Sequence, residues 1–234
     1  MGKNKLKKFK EIAEFPNVYE LTDFSNTNDN KGKPAGKWNE HYFQADRPIT
    51  LELACGKGEY TLALARKYPD RNIIGIDIKG NRIWKGAQKA LEENLNNVRF
   101  LRIYIDHIDQ YFGPGEVDNI WITFPDPFLR YSKRLKRLTS PKFLELYKYI
   151  MRPDGHIHLK TDSQPLMTYT KKVIEALDCP LYSINEDIYS SDCVDDILQI
   201  KTYYERKHLK SGKSIKYIAF GLPEKLVKYP KKIG

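Results

Sequence analysis

From residue 49 onward, short apolar runs alternate with longer amphipathic stretches. The apolar runs predict strands at residues 49–54, 72–78, 98–104, 119–124 and 156–160. Between them, apolar residues recur at three- and four-residue spacing, which predicts helices near residues 59–67, 81–95, 141–150 and 165–177. Strands that are joined through helices run parallel, so this order predicts a doubly wound α/β fold with both faces of the sheet covered.

Two further apolar runs, residues 181–189 and 214–222, flank an acidic loop and a basic helical stretch. They complete a predicted, mostly parallel sheet of seven strands in which an antiparallel strand closes one edge. The first 45 residues begin with lysines and show no periodic apolar face. We therefore predict a basic, partly ordered arm over residues 1–45, a folded domain over 46–224 and a basic tail over 225–234.

The positive charge of the chain is confined to a few places. The formal net charge is +10, from 40 Lys and Arg against 30 Asp and Glu. Four tracts carry +19 together, which leaves −9 on all other residues: 1–10, 130–137, 201–216 and 225–234. A local excess of this kind indicates a surface that meets a polyanion such as a nucleic acid.

Composition excludes several classes of protein. With 41% hydrophobic and 30% charged residues the chain is globular, and no stretch approaches 18 uncharged apolar residues, so no membrane segment is predicted. The lysine-rich start lacks the apolar centre of a secretory signal. Cys55, Cys179 and Cys193 are isolated in sequence, which argues against a disulfide framework or a zinc site and favours a reducing cytoplasm.

Ligands of doubly wound sheets bind at the carboxyl ends of the strands, so the residues that follow each predicted strand are the candidates for a site. Glu52 lies in the first predicted strand and is followed by Gly56 and Gly58, which leave room for a ligand at the turn into the first helix. Asp77 follows 19 residues after Gly58, where a carboxylate can accept hydrogen bonds from a ribose diol. Asp106 follows the third predicted strand.

This set of residues favours S-adenosylmethionine over a dinucleotide. A dinucleotide-binding turn would have glycine at position 61, where this chain has Thr61. A carboxylate such as Glu52 is a poor neighbour for a pyrophosphate, whereas it suits the cationic end of S-adenosylmethionine. The alternative interpretation is that Asp77 is only a turn residue and Asp106 only a helix N-cap.

A rigid acidic loop follows the fourth predicted strand. Residues 124–128 read Phe-Pro-Asp-Pro-Phe, and the two prolines restrict the backbone on either side of Asp126. The basic strip of residues 130–137 comes directly after it. A fixed carboxylate beside clustered cations suits a site that holds phosphates while it presents an acid to a nucleobase.

At this point the chain resembles a known family, the bacterial tRNA (guanine-N7-)-methyltransferases. The matching motifs span about residues 50–222 in the order of the family: ELACGKG, IGIDI, the acid of RIYIDH, FPDPF with its basic strip, HLKTD, and TYYE leading into a glycine. The resemblance implies a Rossmann-like class I methyltransferase that transfers the methyl group of S-adenosylmethionine to N7 of a guanine in the variable loop of tRNA.

The resemblance also implies roles for individual residues. Asp126 is expected to be catalytic and to border the cofactor. The other expected cofactor-binding residues are Glu52, Gly56, Gly58, Asp77 and Asp106. The expected substrate-binding residues are Arg130, Asp162, Thr202, Tyr203, Tyr204 and Glu205. The chain departs from the family pattern at Ala54, Phe128, Arg130, Ser132, Lys133 and Leu135.

Some alternatives stay open. Asp162 could be the cap of the following helix, and the basic strip could be a solvated face. A methyltransferase acting on an amino group, or an RNA-binding module without activity, would share many of these features. A dehydrogenase is disfavoured by Thr61. His156 and His158 share a strand face but lack a third ligand, so no metal is expected. No obligatory protein partner is predicted, and the chain could be a monomer or a homodimer.

Overall fold

The computed structural model describes residues 3–21, 35–190 and 195–225. Cys193 and the predicted basic tail from residue 226 onward lie outside them. The strands are β1 (Val18–Glu20), β2 (Ile49–Leu53), β3 (Asn72–Ile76), β4 (Val98–Arg102), β5 (Val117–Thr123), β6 (Met151–Thr161), β7 (Leu181–Asn185) and β8 (Lys216–Phe220). The α-helices are α1 (Lys3–Ile12), α2 (Glu59–Lys67), α3 (Gly80–Glu92), α4 (Pro141–Ile150), α5 (Gln164–Ala176) and α6 (Tyr203–Lys210).

The strands of the described residues form one eight-stranded sheet in the order β1-β4-β3-β2-β5-β6-β8-β7. Strands β1 to β6 pair in parallel, while β8 is antiparallel to both of its neighbours. Each strand and helix predicted from the apolar pattern is present, and the doubly wound α/β class is confirmed. The largest shift at an element boundary is in β6, which begins at Met151 rather than at residue 156.

One detail of the sheet differs from the prediction, namely the number of strands. Among the described residues there are eight strands rather than seven, because β1 pairs with β4 and places Val18 opposite Phe100. Its three residues are too few to show an alternating pattern in the sequence. The predicted antiparallel edge is confirmed, because β7 forms one edge of the sheet and is antiparallel to its neighbour β8.

The described parts of residues 1–45 pack on the rest of the fold. Helix α1 lies against α3, where Glu11 accepts a hydrogen bond of 2.7 Å from the Trp84 indole. Trp38 is fully buried, its ring centroid lies 5.4 Å from that of Phe112, and its indole donates to the carbonyl oxygen of Tyr111. These segments therefore contribute to the core, and the division of the chain at residues 46 and 224 stays a prediction.

The core consists of two clusters, one on each face of the sheet. Leu51 and Ile120 pack on one face with Leu144 of α4, whereas Ile73 packs on the other face with Leu64 of α2. Burial of each such side chain contributes roughly 1.5–3 kcal/mol. Because both faces are covered by helices, the carboxyl edge of the parallel strands is the place where a ligand can reach the strand ends.

Candidate active site

A cavity of about 360 Å³ lies at the carboxyl edge of the sheet. Three of the predicted carboxylates, Asp77, Asp106 and Asp126, line it. Most of its other walls are apolar: Ala54, Ile78, Ile103, Ile105, Phe124, Pro125, Phe128, Leu138 and Phe143. Apolar walls with a few fixed polar groups are typical of a site for a small organic molecule.

A smaller cavity of about 70 Å³ adjoins the first one, since both are bordered by Ala54, Arg82 and Phe124. Five of the predicted site residues line it: Glu52, Gly56, Thr202, Tyr203 and Tyr204. The structure therefore brings the predicted cofactor carboxylates and part of the predicted substrate set to one edge of the sheet.

Glu52 is buried at the end of β2. Its carboxylate accepts hydrogen bonds from the backbone N–H of Thr61 at 2.7 Å, from the Thr61 hydroxyl, and from the Thr123 hydroxyl at 2.6 Å. Burial raises the pKa of Glu52 to about 7, although these hydrogen bonds oppose the shift. The position of this carboxyl group is thus fixed by its neighbours before any ligand binds. Thr61, which distinguishes this turn from a dinucleotide-binding turn, is one of the groups that hold it.

Asp77 is also buried and fixed by the backbone. Its carboxylate accepts hydrogen bonds from the N–H groups of Gly56 at 3.0 Å and Lys79 at 2.8 Å. Each carboxylate oxygen keeps a further lone pair for a ligand hydroxyl. Gly56 lines the smaller cavity, but Gly58 lines neither cavity. A Cβ atom on Gly58 would lie 2.7 Å from the ring of Phe100, so the structure gives this glycine a packing role.

Asp106 is exposed and lies at the start of a 3-10 helix over Ile105–Gln110. It forms an ion pair with Lys142 of α4. The N-cap residue of this short helix is Tyr104, which has no capping side-chain hydrogen bond. The interpretation of Asp106 as an N-cap is therefore wrong, and Asp106 lines the larger cavity.

The loop that carries Asp126 has an unusual backbone. Phe124 and Phe128, at its two ends, have φ angles of 49° and 42°, in the left-handed region that bulky residues seldom adopt. Such a conformation costs roughly 1–3 kcal/mol per residue and persists where the surroundings impose it. Here the Phe124 N–H donates to the carbonyl oxygen of Lys160 at 2.8 Å, and the Arg137 guanidinium donates to that of Phe128 at 3.0 Å. Asp126 is held between these two anchored ends.

The basic strip divides into two parts. Arg130 and Lys133 are exposed at or near the start of a 3-10 helix over Tyr131–Lys136, and Lys136 borders the larger cavity. Arg137 is buried, contacts the loop of Asp126 and lies 4.2 Å above the ring of Tyr169. The exposed members are free to meet a polyanion, whereas Arg137 supports the loop of Asp126.

Asp162 follows directly after β6. It pairs with Lys213 at 2.6 Å and lies 3.4 Å from the imidazole of His208. The N-cap of α5 is Ser163, whose side chain accepts a hydrogen bond from the backbone of Leu166. The interpretation of Asp162 as the cap is therefore wrong. Its carboxylate does not line either of the two cavities described above.

The start of α6 contains residues with two different environments. Tyr203 and Tyr204 are about half exposed, and Thr202 and Glu205 form a capping box. Glu205 is fully buried, with its Oε1 at 2.7 Å from the ammonium of Lys160. With no exposed atom, Glu205 fixes the position of α6, and its predicted contact with a substrate would be indirect.

Lys160 is one residue at this edge whose role the sequence reasoning missed. It is fully buried on β6 and donates to the carbonyl oxygens of Leu198 at 2.7 Å and Ile200 at 3.0 Å in addition to Glu205. Burial lowers the pKa of its ammonium group, and the Glu205 carboxylate opposes that shift. A lysine inside an apolar run of a central strand was the available signal, because such a position requires an internal partner.

The two strand histidines are accounted for by protein contacts. The ring of His158 stacks on Trp121 with 4.1 Å between centroids and hydrogen-bonds the Tyr217 hydroxyl at 2.8 Å. Burial lowers the pKa of His158 to about 3. Within residues 3–21, 35–190 and 195–225, no group of three or more His, Cys, Asp or Glu side chains is arranged to hold a metal ion. None of the helices in these ranges is both long and apolar enough to cross a membrane.

Solved structures with a similar fold include methyltransferases. A 30S ribosomal A1408 methyltransferase from an uncultured bacterium superposes with a TM-score of 0.56 at 18% identity, over 77% of this chain and 90% of that one. An S-adenosylmethionine-dependent methyltransferase from Aquifex aeolicus gives a TM-score of 0.52 at 16% identity, over 75% and 82% of the two chains. These matches confirm the fold of a class I methyltransferase.

Sequence comparison is more specific. A family described as "Putative methyltransferase" matches residues 46–218. The tRNA (guanine-N(7)-)-methyltransferase of Bacteroides thetaiotaomicron is 51% identical over 96% of this chain and 88% of its own length. The protein of that name from Christiangramia forsetii is 47% identical over 94% of this chain and 98% of its own length. The chain therefore belongs to the tRNA (guanine-N(7)-)-methyltransferase family.

Proposed function

We propose that this protein transfers a methyl group from S-adenosylmethionine to N7 of a guanine in the variable loop of tRNA, and that it does so in the cytoplasm. The observation that carries the proposal is the cavity at the carboxyl edge of the sheet. It places fixed carboxylates beside the anchored Asp126. The chain is also about half identical to relatives that are named for this reaction. We expect a monomer or a homodimer with no obligatory protein partner.

The residues at this edge fit the methyl donor. Asp77 has acceptor capacity left for the two ribose hydroxyls, and the apolar side chains of Ile78 and Ile105 suit the faces of an adenine ring. Glu52 faces the adjoining cavity, where its carboxylate would attract a cationic amino group. When bound, S-adenosylmethionine supplies an electrophilic methyl group on its sulfonium.

The reaction depends on the positioning of the reactants more than on a strong base. Guanine N7 carries an in-plane lone pair, so no proton has to be removed to create the nucleophile. Methylation leaves the purine ring positively charged. Asp126 can accept hydrogen bonds from N1–H and the exocyclic amine of the guanine and stabilise the charge that develops. The anchored ends of its loop keep this carboxylate in place, which lowers the entropic cost of alignment.

The substrate side of the site is built from exposed groups. Arg130 and its neighbours in the basic strip would hold phosphates close to Asp126. Tyr203 and Tyr204 present half-exposed rings beside the smaller cavity, where a base could stack. Asp162, which lies beside His208, would also contact the substrate. Glu205 would affect substrate binding indirectly, because it fixes the position of α6.

The direct test incubates the purified protein with unmodified tRNA transcript and labelled S-adenosylmethionine, followed by digestion and nucleoside analysis. We expect the label in 7-methylguanosine and nowhere else. The matched control is the same transcript with adenine in place of the variable-loop guanines, which should take up no label. Label in any other nucleoside, or equal labelling of the control transcript, would overturn the proposal.

A further inference from the structure

A second cationic surface lies on the face of the sheet that is covered by α2 and α3. A groove of about 660 Å³ runs between these helices, α1 and the segment that leads into α6. Seven cationic and two acidic side chains line it, so the groove carries a net positive charge. It is separate from the basic strip, which continues into α4 on the opposite face of the sheet.

Four lysines of this groove have no carboxylate partner among the described residues: Lys8, Lys57, Lys85 and Lys201. Three of them lie above aromatic rings, Lys8 at 4.3 Å from the centroid of Trp84, Lys57 at 5.1 Å from Tyr203 and Lys201 at 4.6 Å from Tyr189. Aromatic contact holds the side chains without neutralising them. By contrast, the Arg66 guanidinium in the same groove is paired with Glu93 at 2.6 Å.

The groove is continuous with the candidate active site. Lys57 and Glu59 line both the groove and the smaller cavity that contains Glu52. A chain of phosphates that lay in the groove would therefore reach the catalytic edge at Lys57. The unpaired lysines come from four different segments of the chain, two of them helices and two of them loops, which suits an extended polyanion better than a single small anion that needs convergent donors.

We propose that this groove binds the sugar–phosphate backbone of the tRNA substrate, so that the RNA contacts both faces of the sheet across the catalytic edge. The proposal rests on the function proposed above, and it adds a binding surface formed by α1, α3 and residues 200–206. It also gives the lysine-rich start of the chain a role, since α1 places Lys8 at the groove.

The test compares a triple variant, Lys8→Gln, Lys85→Gln and Lys201→Gln, with the wild-type protein in equilibrium binding to unmodified tRNA at several salt concentrations. Each lost phosphate contact lowers the slope of log K against log salt by about 0.7–0.9, so three contacts lower it by about 2–3. We expect tRNA affinity to fall at least tenfold, while S-adenosylmethionine affinity and the thermal unfolding midpoint stay unchanged.

A control variant with the same change of charge carries Lys148→Gln, Lys171→Gln and Lys172→Gln on α4 and α5. It should retain most of the tRNA affinity and salt dependence of the wild type. A groove variant with wild-type affinity and slope, or a control that loses as much, would overturn the inference. Failure of the proposed function would look different, because the wild-type protein would then not form 7-methylguanosine although the binding comparison could still be made.

Discussion

The four carboxylates that are predicted to bind the cofactor fall into two pairs. Glu52 and Asp77 are buried, and backbone or hydroxyl donors fix both of them. Asp106 and Asp126 are exposed, and the second of them lies on a loop whose shape is imposed by its neighbours. The difference teaches that the folded chain itself fixes Glu52 and Asp77, whereas Asp106 and Asp126 present their carboxylates to solvent. We therefore expect changes in the buried pair to act on cofactor affinity and changes at Asp126 to act on turnover.

The largest effect is expected for Asp126→Asn. Loss of a charge that stabilises the methylated purine should lower kcat by about 100- to 1000-fold, while the tRNA dissociation constant stays within about threefold of the wild type. Single-turnover kinetics and equilibrium binding measure the two quantities. Asp70→Asn serves as the control, since Asp70 is exposed between α2 and β3 at the other edge of the sheet. Wild-type turnover in the Asp126 variant would contradict the expectation that Asp126 acts on turnover and the buried pair on cofactor affinity.

The second prediction concerns the pH dependence of stability without ligand. Burial raises the pKa of Glu52 from 4.5 to about 7 in the folded protein. The stability contributed by its protonated form is fully present below pH 4.5 and is lost as the pH rises to about 7, an effect of about 3 kcal/mol. Glu52→Gln should therefore gain stability relative to the wild type between about pH 5 and pH 8 in urea unfolding. Parallel stability curves for the two proteins would contradict the assignment.

The third prediction separates affinity from turnover. Asp77→Asn keeps one acceptor oxygen for its two backbone donors and loses the charge, so S-adenosylmethionine should bind about 10- to 100-fold more weakly. At saturating cofactor, kcat should remain close to the wild-type value. Calorimetric titration and initial rates over a range of cofactor concentrations test this. A fall in kcat at unchanged cofactor affinity would break the comparison.

The smallest effect is expected for loss of the ion pair between Lys142 and the exposed carboxylate Asp106. Lys142 and Asp106 form an ion pair between side chains that are 46% and 48% exposed, and such pairs contribute less than about 1 kcal/mol. Lys142→Ala should therefore change the free energy of unfolding by less than this amount and cofactor affinity by less than about threefold. Repeating both measurements at high salt, where the pair is screened, should reduce the difference between variant and wild type further.

The sequence predicted the parallel core of the fold because its strands and helices have strong periodicity. It also predicted the edge of the sheet where the site lies, since strand ends could be located from the same pattern. Strand β1 and the burial of Trp38 could not be predicted in this way. Three residues of strand and one inserted aromatic ring produce no period, and their places are set by contacts with distant residues such as Phe100 and Phe112.

Individual roles were harder to predict than location. Contact of Gly58 with a ligand stays a prediction, and the structure adds that its missing side chain makes room for the ring of Phe100. Glu205 was expected to meet the substrate, but it is buried against Lys160. In both cases the residue type was informative, while the direction in which the residue faces depends on tertiary packing. A substitution at such a residue can therefore change packing as well as ligand binding, and stability has to be measured alongside activity.

The left-handed backbone of Phe124 and Phe128 has a consequence for the way this protein can change. Glycine would relieve the steric cost at either position, but it would also remove a phenylalanine ring, and the ring of Phe124 packs against the core and stacks on His208 with 5.8 Å between centroids. The same substitution would loosen the ends that hold Asp126. Neither position therefore offers a simple route to greater heat resistance, and a stabilised variant of the enzyme is better sought among surface positions away from this loop.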